Sequence, residues 1–197
     1  MKILRPALVL TLFFLVVTGI LFPLALTGLA QVALPDQANG SMLLVDGKPV
    51  GSKLIGQSFT SEKFFHPRPS SGGYDANNSG GTNLGPTNPK LLTGADGFDG
   101  VKQLAAQYRS INQVAEDMVL PVDAVTRSAS GLDPHISVAN ARLQAVRVAR
   151  VNNIENQRLQ DLIKRATEPN FVGVFGEPGV NVLKLNLLIR EELPAQK

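Results

Sequence analysis

Between Arg5 and Asp36 lie thirty residues without a charge, and that stretch decides which solvent the rest of the chain can meet. Only Thr11, Thr18, Thr27 and Gln31 are polar within it. At a rise of ~1.5 Å per residue, about 20 such residues in a helix cross a hydrocarbon layer roughly 30 Å thick. The run therefore predicts a membrane span, with a helix over about 7–29. A cleaved export signal is the competing reading, and Ala30 and Ala33 are small enough to end one. Its apolar region would run only ~7–15 residues, so the length favours an uncleaved anchor. Pro23 lies deep in the run, where its missing amide is tolerated if a neighbouring helix or a local adjustment satisfies the freed carbonyl.

Lys2, Arg5 and the amino terminus precede the span, and the first cation after it is Lys48. The positive end stays in the cytoplasm, which divides the chain into an anchor, 1–35, and an extracytoplasmic domain, 36–197. The latter is long enough for one domain with a sizeable core. The chain's formal charge of +3 includes Lys2 and Arg5, leaving +1 for the external part, and no Lys/Arg block interleaves with aromatics. Nucleic acid is excluded as a partner on that ground. Cysteine is absent, which removes disulfides, thiol nucleophiles and thiolate metal sites together. Two histidines, His66 and His135, with no H-E-x-x-H spacing, point to no metal site.

After the anchor, Asn39-Gly40 and Asp46-Gly47 are turn dipeptides between short apolar runs at 42–45 and 54–55, the pattern of a small hairpin or meander. His66-Pro67-Arg68-Pro69 then makes a stiff extended arm, which Phe64 and Phe65 can anchor on a core. A catalytic role for His66 has no partner to support it. Positions 70–100, rich in Gly, Asn and Pro, form neither long helix nor strand, and the mixture with Tyr74 and Leu84 predicts an ordered, hydrogen-bonded loop. Its glycines could nest an anion, but the phosphate-loop ending Gly-Lys-Ser/Thr is missing. A helix follows, with Val101, Leu104, Ala105, Tyr108 and Ile111 on one stripe and Asp99 placed to accept from its first amides; 119–125 reads as extended around Pro121.

The segment 128–135 carries Ser128, Ser130, Gly131, Asp133 and His135. Ser130, Asp133 and His135 raise an anchored external hydrolase as an alternative function, but triad members so close in sequence rarely reach working geometry, and G-x-S-x-G is nowhere in the chain. The structural reading is a helix start, with either Asp133 capping ahead of Pro134 or Ser137 capping. That helix, over about 137–153, has Ala139, Leu143 and Val146 at core spacing, flanked by Val138, Ala141, Ala145 and Val148, and leaves Arg142, Arg147 and Arg150 on a solvated face. A further helix, about 154–167, shows Leu159, Leu162, Ile163 and Ala166. In the tail, Leu183, Leu185, Leu187 and Ile189 alternate with more polar positions like a half-buried strand, pairing with 171–175. The sum is an α+β domain, a small sheet packed against helices, behind one transmembrane helix.

Several ordered strings resemble a known family, the C subunit (KdpC) of the Kdp potassium-transporting P-type ATPase of bacteria and archaea. They are Asn39-Gly40-Ser41, Leu54-Ile55-Gly56-Gln57 with Phe59, Arg68-Pro69-Ser70, and Ser79-Gly80-Gly81-Thr82-Asn83-Leu84-Gly85-Pro86-Thr87-Asn88-Pro89. Pro121-Val122 to Thr126, the segment 128–137, Gln144 with Arg147-Val148-Ala149 and Arg150, and Val180-Asn181-Val182-Leu183 continue the match over nearly the whole chain. Thr82 stands where the family usually has Ser, and Val138 where Pro often follows. The resemblance implies a non-catalytic accessory subunit of a high-affinity potassium uptake complex, needed for assembly. Its partners would be a channel-like potassium-translocating subunit, an ATP-hydrolysing P-type subunit and a small peptide subunit; those partners would handle ATP and potassium, and this chain would hold no cofactor of its own. It also implies a catalytic-chaperone role that raises ATP affinity, with Gln144 as nucleotide contact. The charge-derived topology places the domain across the membrane from cytoplasmic ATP, which favours assembly over direct nucleotide contact. The loop 79–89 and the segment 128–137, with Arg147 and Arg150, are the candidate partner contacts.

Overall fold

In the computed structural model, which describes residues 3–170, 173 and 175–193, the chain forms two compact units, Met1–Ser52 and Lys53–Lys197. The first unit opens with α1 (Leu4–Val16), one π-helical turn (Val17–Leu21) and α2 (Phe22–Ala33). Together they make one helix, Leu4–Ala33, of 30 residues and mean hydropathy 2.6, the one helix among the described residues long and apolar enough to cross a membrane. None of its residues is buried within the protein. Pro23 explains the wide turn: it offers no N–H to the carbonyl four residues back and its ring crowds that carbonyl, and loosening the preceding turn relieves both. A single turn, α3 (Pro35–Ala38), follows. The hairpin expected from the turn dipeptides is present as β1 (Met42–Val45) against β2 (Lys48–Ser52), with Asp46 and Gly47 at φ 51° and 73°, the left-handed values a tight hairpin turn requires. Leu54 and Ile55, read as strand-like, lie in a turn.

The second unit contains α4 (Pro89–Thr93), α5 (Val101–Asn112), α6 (Val122–Val125), β3 (His135–Ser137), α7 (Val138–Asn152), α8 (Asn156–Ala166), β4 (Thr167–Glu168), β5 (Gly179–Asn181) and α9 (Val182–Glu192). The strands form an antiparallel sheet in the order β3-β5-β4. Its core joins Ala141, Ala145 and Val148 of α7, Leu159, Leu162, Ile163 and Ala166 of α8, and Val182, Leu185 and Ile189 of α9, with Phe65, Ile136 and Val180 beneath. This is the α+β class read from the sequence.

Three local expectations are corrected, one cannot be followed and one choice between alternatives is resolved. The tail is helical: Asn181 accepts from the Lys184 amide at 3.1 Å, and Val182, Leu185, Asn186 and Ile189 then fall at helical spacing on the buried side. The pairing expected of 171–175 falls largely on 171, 172 and 174, outside the described residues. Residues 122–125 are one helical turn after Pro121, not extended. Asp99 does not cap α5; Gly100 is the N-cap, its amide bonds Gln103 Oε1 at 3.1 Å, and Asp99 instead accepts from Gln107 at 3.0 Å. Of the two possible starts for α7, Ser137 is the cap, its hydroxyl accepting from Asn140 N at 3.1 Å, while Asp133 lies ahead of β3.

Candidate functional site

The face of α7 that turns inward is not Ala139, Leu143 and Val146 but the neighbouring one, Ala141, Ala145 and Val148, with Asn140, Gln144 and Arg147 beside it. Arg147, expected in solvent, is 1% exposed, and Val146 is 61% exposed. The inversion has a cause in the backbone of residues 62–66. This stretch, a turn at 62–63 followed by irregular backbone, has no strand partner among the described residues, and each of its carbonyls needs a donor. Arg147 donates to the carbonyls of Glu62 and, at 3.0 Å, Phe64. Asn152 donates to Lys63 O at 2.7 Å, Asn186 to Phe65 O at 2.9 Å and Gln144 to His66 O at 3.0 Å. The same two amides also take the N–H groups, Phe65 N on Asn186 Oδ1 at 2.8 Å and His66 N on Gln144 Oε1 at 2.7 Å. Two side-chain amides thus stand in for a neighbouring strand, and Phe65 enters the core fully buried.

Gln144 has no hydrogen-bonding capacity left over. Its Oε1 accepts from His66 N and from Arg147 at 3.1 Å, and its Nε2 donates to His66 O and to Asn140 Oδ1 at 2.9 Å. With the residue 1% exposed, a nucleotide could touch this amide only after those bonds opened. Arg147 completes its set on Asn112 Oδ1 at 2.9 Å, and all its hydrogen bonds end on neutral oxygens. Burial pulls the guanidinium pKa below its ordinary value. His66 is also pulled down, first by burial and then by Arg147, and its Nε2 lies 3.1 Å from the Ser61 carbonyl. Tyr108 donates to Asn140 Oδ1 at 2.8 Å, and burial raises its hydroxyl pKa. Asp123 locks the start of α7 by accepting from Ser137 N, Ser137 Oγ and Asn140 Nδ2 at 2.7–2.9 Å.

Beyond the clamp the arm reaches the two segments read as contact surfaces. Arg68 donates to Asp133 Oδ2 at 2.9 Å, Ser70 Oγ to Gly131 O at 2.7 Å, and Ser128 N to Pro69 O at 3.0 Å. Tyr74, its hydroxyl pushed up to about 12 by burial, donates to the Arg68 carbonyl. The structure brings 79–81 and 128–131 together: Gly80 N and Ser79 Oγ both donate to Ser130 O, at 2.8 and 3.2 Å. The approach is close enough that a Cβ on Gly81 would sit 2.8 Å from Ala129 O, and one on Gly131 2.9 Å from Gly80 O. Farther out, Thr82 and Leu84 line a cleft of about 210 Å³ with Leu91, Val101, Val125 and Arg127. Asn83, Gly85, Pro86 and Thr87 are exposed, and Asn88 caps α4 by accepting from Lys90 N at 3.0 Å just ahead of Pro89. Arg150 is exposed and donates to Gln113 Oε1.

The hydrolase alternative does not assemble. Ser130 Oγ bonds Ser128 Oγ and Leu132 N at 3.1 Å, whereas the His135 ring faces Asp133 Oδ1 at 3.9 Å on one nitrogen and Glu168 Oε2 at 2.9 Å on the other. The imidazole is held between two acids, with the serine engaged elsewhere. Glu168, Asn112, Asn140 and Asn186 were missed by the sequence reading. The usable signal was Asn140, Gln144 and Arg147 at four- and three-residue spacing beside a small-residue stripe.

A model of the family described as "KdpC: K+-transporting ATPase, c chain" matches residues 4–191. The potassium-transporting ATPase KdpC subunit of Mycobacterium tuberculosis is 52% identical over 188 residues, covering 94% of this chain and 96% of the relative. That of Rhodospirillum rubrum is 48% identical over 198 residues, with 98% of each chain covered. The Polaromonas naphthalenivorans subunit is 50% identical over 191 residues, 95% of this chain and 94% of the relative.

Proposed function

We propose, since this chain belongs to the KdpC family of potassium-transporting ATPase subunits, that it is a non-catalytic accessory subunit that assembles with the other subunits of an ATP-driven potassium uptake complex. The helix Leu4–Ala33 is the anchor, with Lys2 and Arg5 holding the amino terminus in the cytoplasm and the domain from about Asp36 onward outside. A channel-like potassium-translocating subunit, an ATP-hydrolysing subunit and a small peptide are the partners. The loop 79–89, bonded to 128–131, meets the channel-like subunit.

One observation carries the reading: the polar groups that looked chemically available are occupied internally, while the outer part of the 79–89 loop stays exposed on a rigid base. Recognition of a partner is what such a loop can do. The test is to extract the tagged chain in mild detergent and measure what co-purifies and whether potassium stimulates ATP hydrolysis in the eluate. Larger membrane subunits with potassium-stimulated activity are the expected result. A lone chain from cells shown to express the other subunits would sink the proposal.

In this reading Gln144 is a staple of the arm. Gln144→Ala should lower the thermal stability of the subunit and leave the ATP affinity of any complex that still assembles unchanged. A changed ATP affinity at unchanged stability would instead make Gln144 a nucleotide contact.

A further inference from the structure

The turn between α5 and α6 carries an apolar tip that the domain does not use. Val119 is 88% exposed, Val122 73% and Met118 46%, three apolar side chains within five consecutive residues. Exposed apolar side chains gathered in one place, unlike ones scattered singly, mark an interaction surface. Here the cluster is held out. Arg109, in the last turn of α5, donates to the carbonyls of Ala115, Glu116 and Met118 at 3.4, 3.2 and 3.0 Å, and Pro121 fixes the entry to α6. Thr126 and Asp123 secure the far side, the first by donating to Val122 O at 2.7 Å, the second through its bonds to the start of α7. Presenting a preorganised apolar group lowers the ordering cost of association. Glu116 and Asp117, both exposed, stand immediately before the tip.

We propose that Met118, Val119 and Val122 form a docking knob that inserts into an apolar pocket, rimmed by basic side chains, on another subunit of the potassium-transporting ATPase. The proposal rests on the accessory-subunit reading above. The acidic pair selects the occupant: it complements a basic rim on a protein, and it repels an anionic lipid surface. Apolar insertion supplies affinity at the centre, and the paired charges at the edge set orientation.

The experiment uses the assembled complex, with Val119→Asp/Val122→Asp compared with wild type and with Val146→Asp, an exposed valine on α7 far along the chain from the knob. The double variant should lose at least about tenfold of the co-purifying subunits, while its own melting temperature, like that of Val146→Asp, stays at the wild-type value because both sites are exposed. Equal co-purification by the double variant would overturn the knob. Failure of the wild-type chain to co-purify at all would instead remove the accessory reading. A photo-crosslinker at position 119 gives a second measurement: an adduct with another subunit of the ATPase is expected, and an adduct confined to lipid or to a second copy of this chain would overturn the proposal. Glu116→Lys/Asp117→Lys should weaken recovery of the complex most at low ionic strength, and an effect independent of salt would count against the basic rim.

Discussion

Residues 62–66 and residues 82–88 are both irregular backbone, yet the first is among the most constrained parts of the molecule and the second among the least. Each carbonyl from Glu62 to His66 has a side-chain donor from α7 or α9, and Phe65 is fully buried. The loop beyond Gly81 has Asn88 capping a short helix, a small cleft lined by Thr82 and Leu84, and mostly exposed residues between. Absence of a ladder therefore says nothing about freedom. What matters is where the backbone hydrogen bonds go, and a stretch served by side chains can be as fixed as a central strand.

The sharpest way to break this contrast is Arg147→Ala, which strips the donors from Glu62 O and Phe64 O and leaves Gln144 and Asn112 short of a partner. A loss of roughly 4 kcal/mol is expected in denaturant unfolding of the detergent-solubilised chain, because several buried polar groups go unsatisfied together. Arg147→Lys should recover little of it, since a compact ammonium cannot reach the four separated acceptors that the guanidinium fork serves. Unfolding within about 0.5 kcal/mol of wild type would show that the arm is held by Phe65 alone.

Asn186→Ala and Gln144→Ala come next, at about 2–3 kcal/mol each. Because they hold adjacent residues of one arm, the double variant should cost clearly less than the sum. Full additivity would mean that the two amides act on independent pieces of backbone.

A smaller effect follows from His66, whose folded pKa lies below the usual 6.5 through burial and the neighbouring Arg147. Below about pH 6.5 the unfolded chain takes up a proton that the folded chain accepts only at lower pH, so acid favours unfolding there and this contribution to stability is complete above that pH. The melting temperature of wild type should fall on going from about pH 7 to pH 5 by more than that of His66→Gln. Equal slopes would remove His66 as the cause.

Replacing 83–87 by a Gly/Ser sequence of equal length should leave stability within about 0.5 kcal/mol while reducing co-purification with the other subunits. A large loss of stability would erase the distinction between the two regions.

The sequence made several of these elements legible. The hairpin was readable because Asp46-Gly47 is a local signal, and α8 because Leu159, Leu162, Ile163 and Ala166 keep one helical stripe. The tail was not, because Leu183, Leu185 and Leu187 satisfy a two-residue period while Val182, Leu185, Asn186 and Ile189 satisfy a helical one; only the asparagine at the buried position, bonded to Phe65, separates the two. Arg147 was misread for a related reason. Whether an arginine in a mixed helix faces solvent depends on what lies opposite, and here that is backbone some eighty residues earlier in the chain. The contact between 79–81 and 128–131 was equally invisible: each segment was singled out by its residues, but no local rule says that two glycine-containing stretches will touch.

The arm's dependence on distant side chains also fixes when it can form. Phe65 is separated from Asn186 by 121 residues and His66 from Gln144 by 78, so docking closes long loops and belongs to the slow, non-local part of folding. A growing chain can offer Glu62, Lys63, Phe64 and His66 their donors once α7 has been made, but must leave the Phe65 backbone without its partner until the last helix emerges. Until then the Phe65 amide and carbonyl wait for Asn186, and a chain cut short before that residue would leave them without it permanently, a mark by which unfinished subunits differ from complete ones.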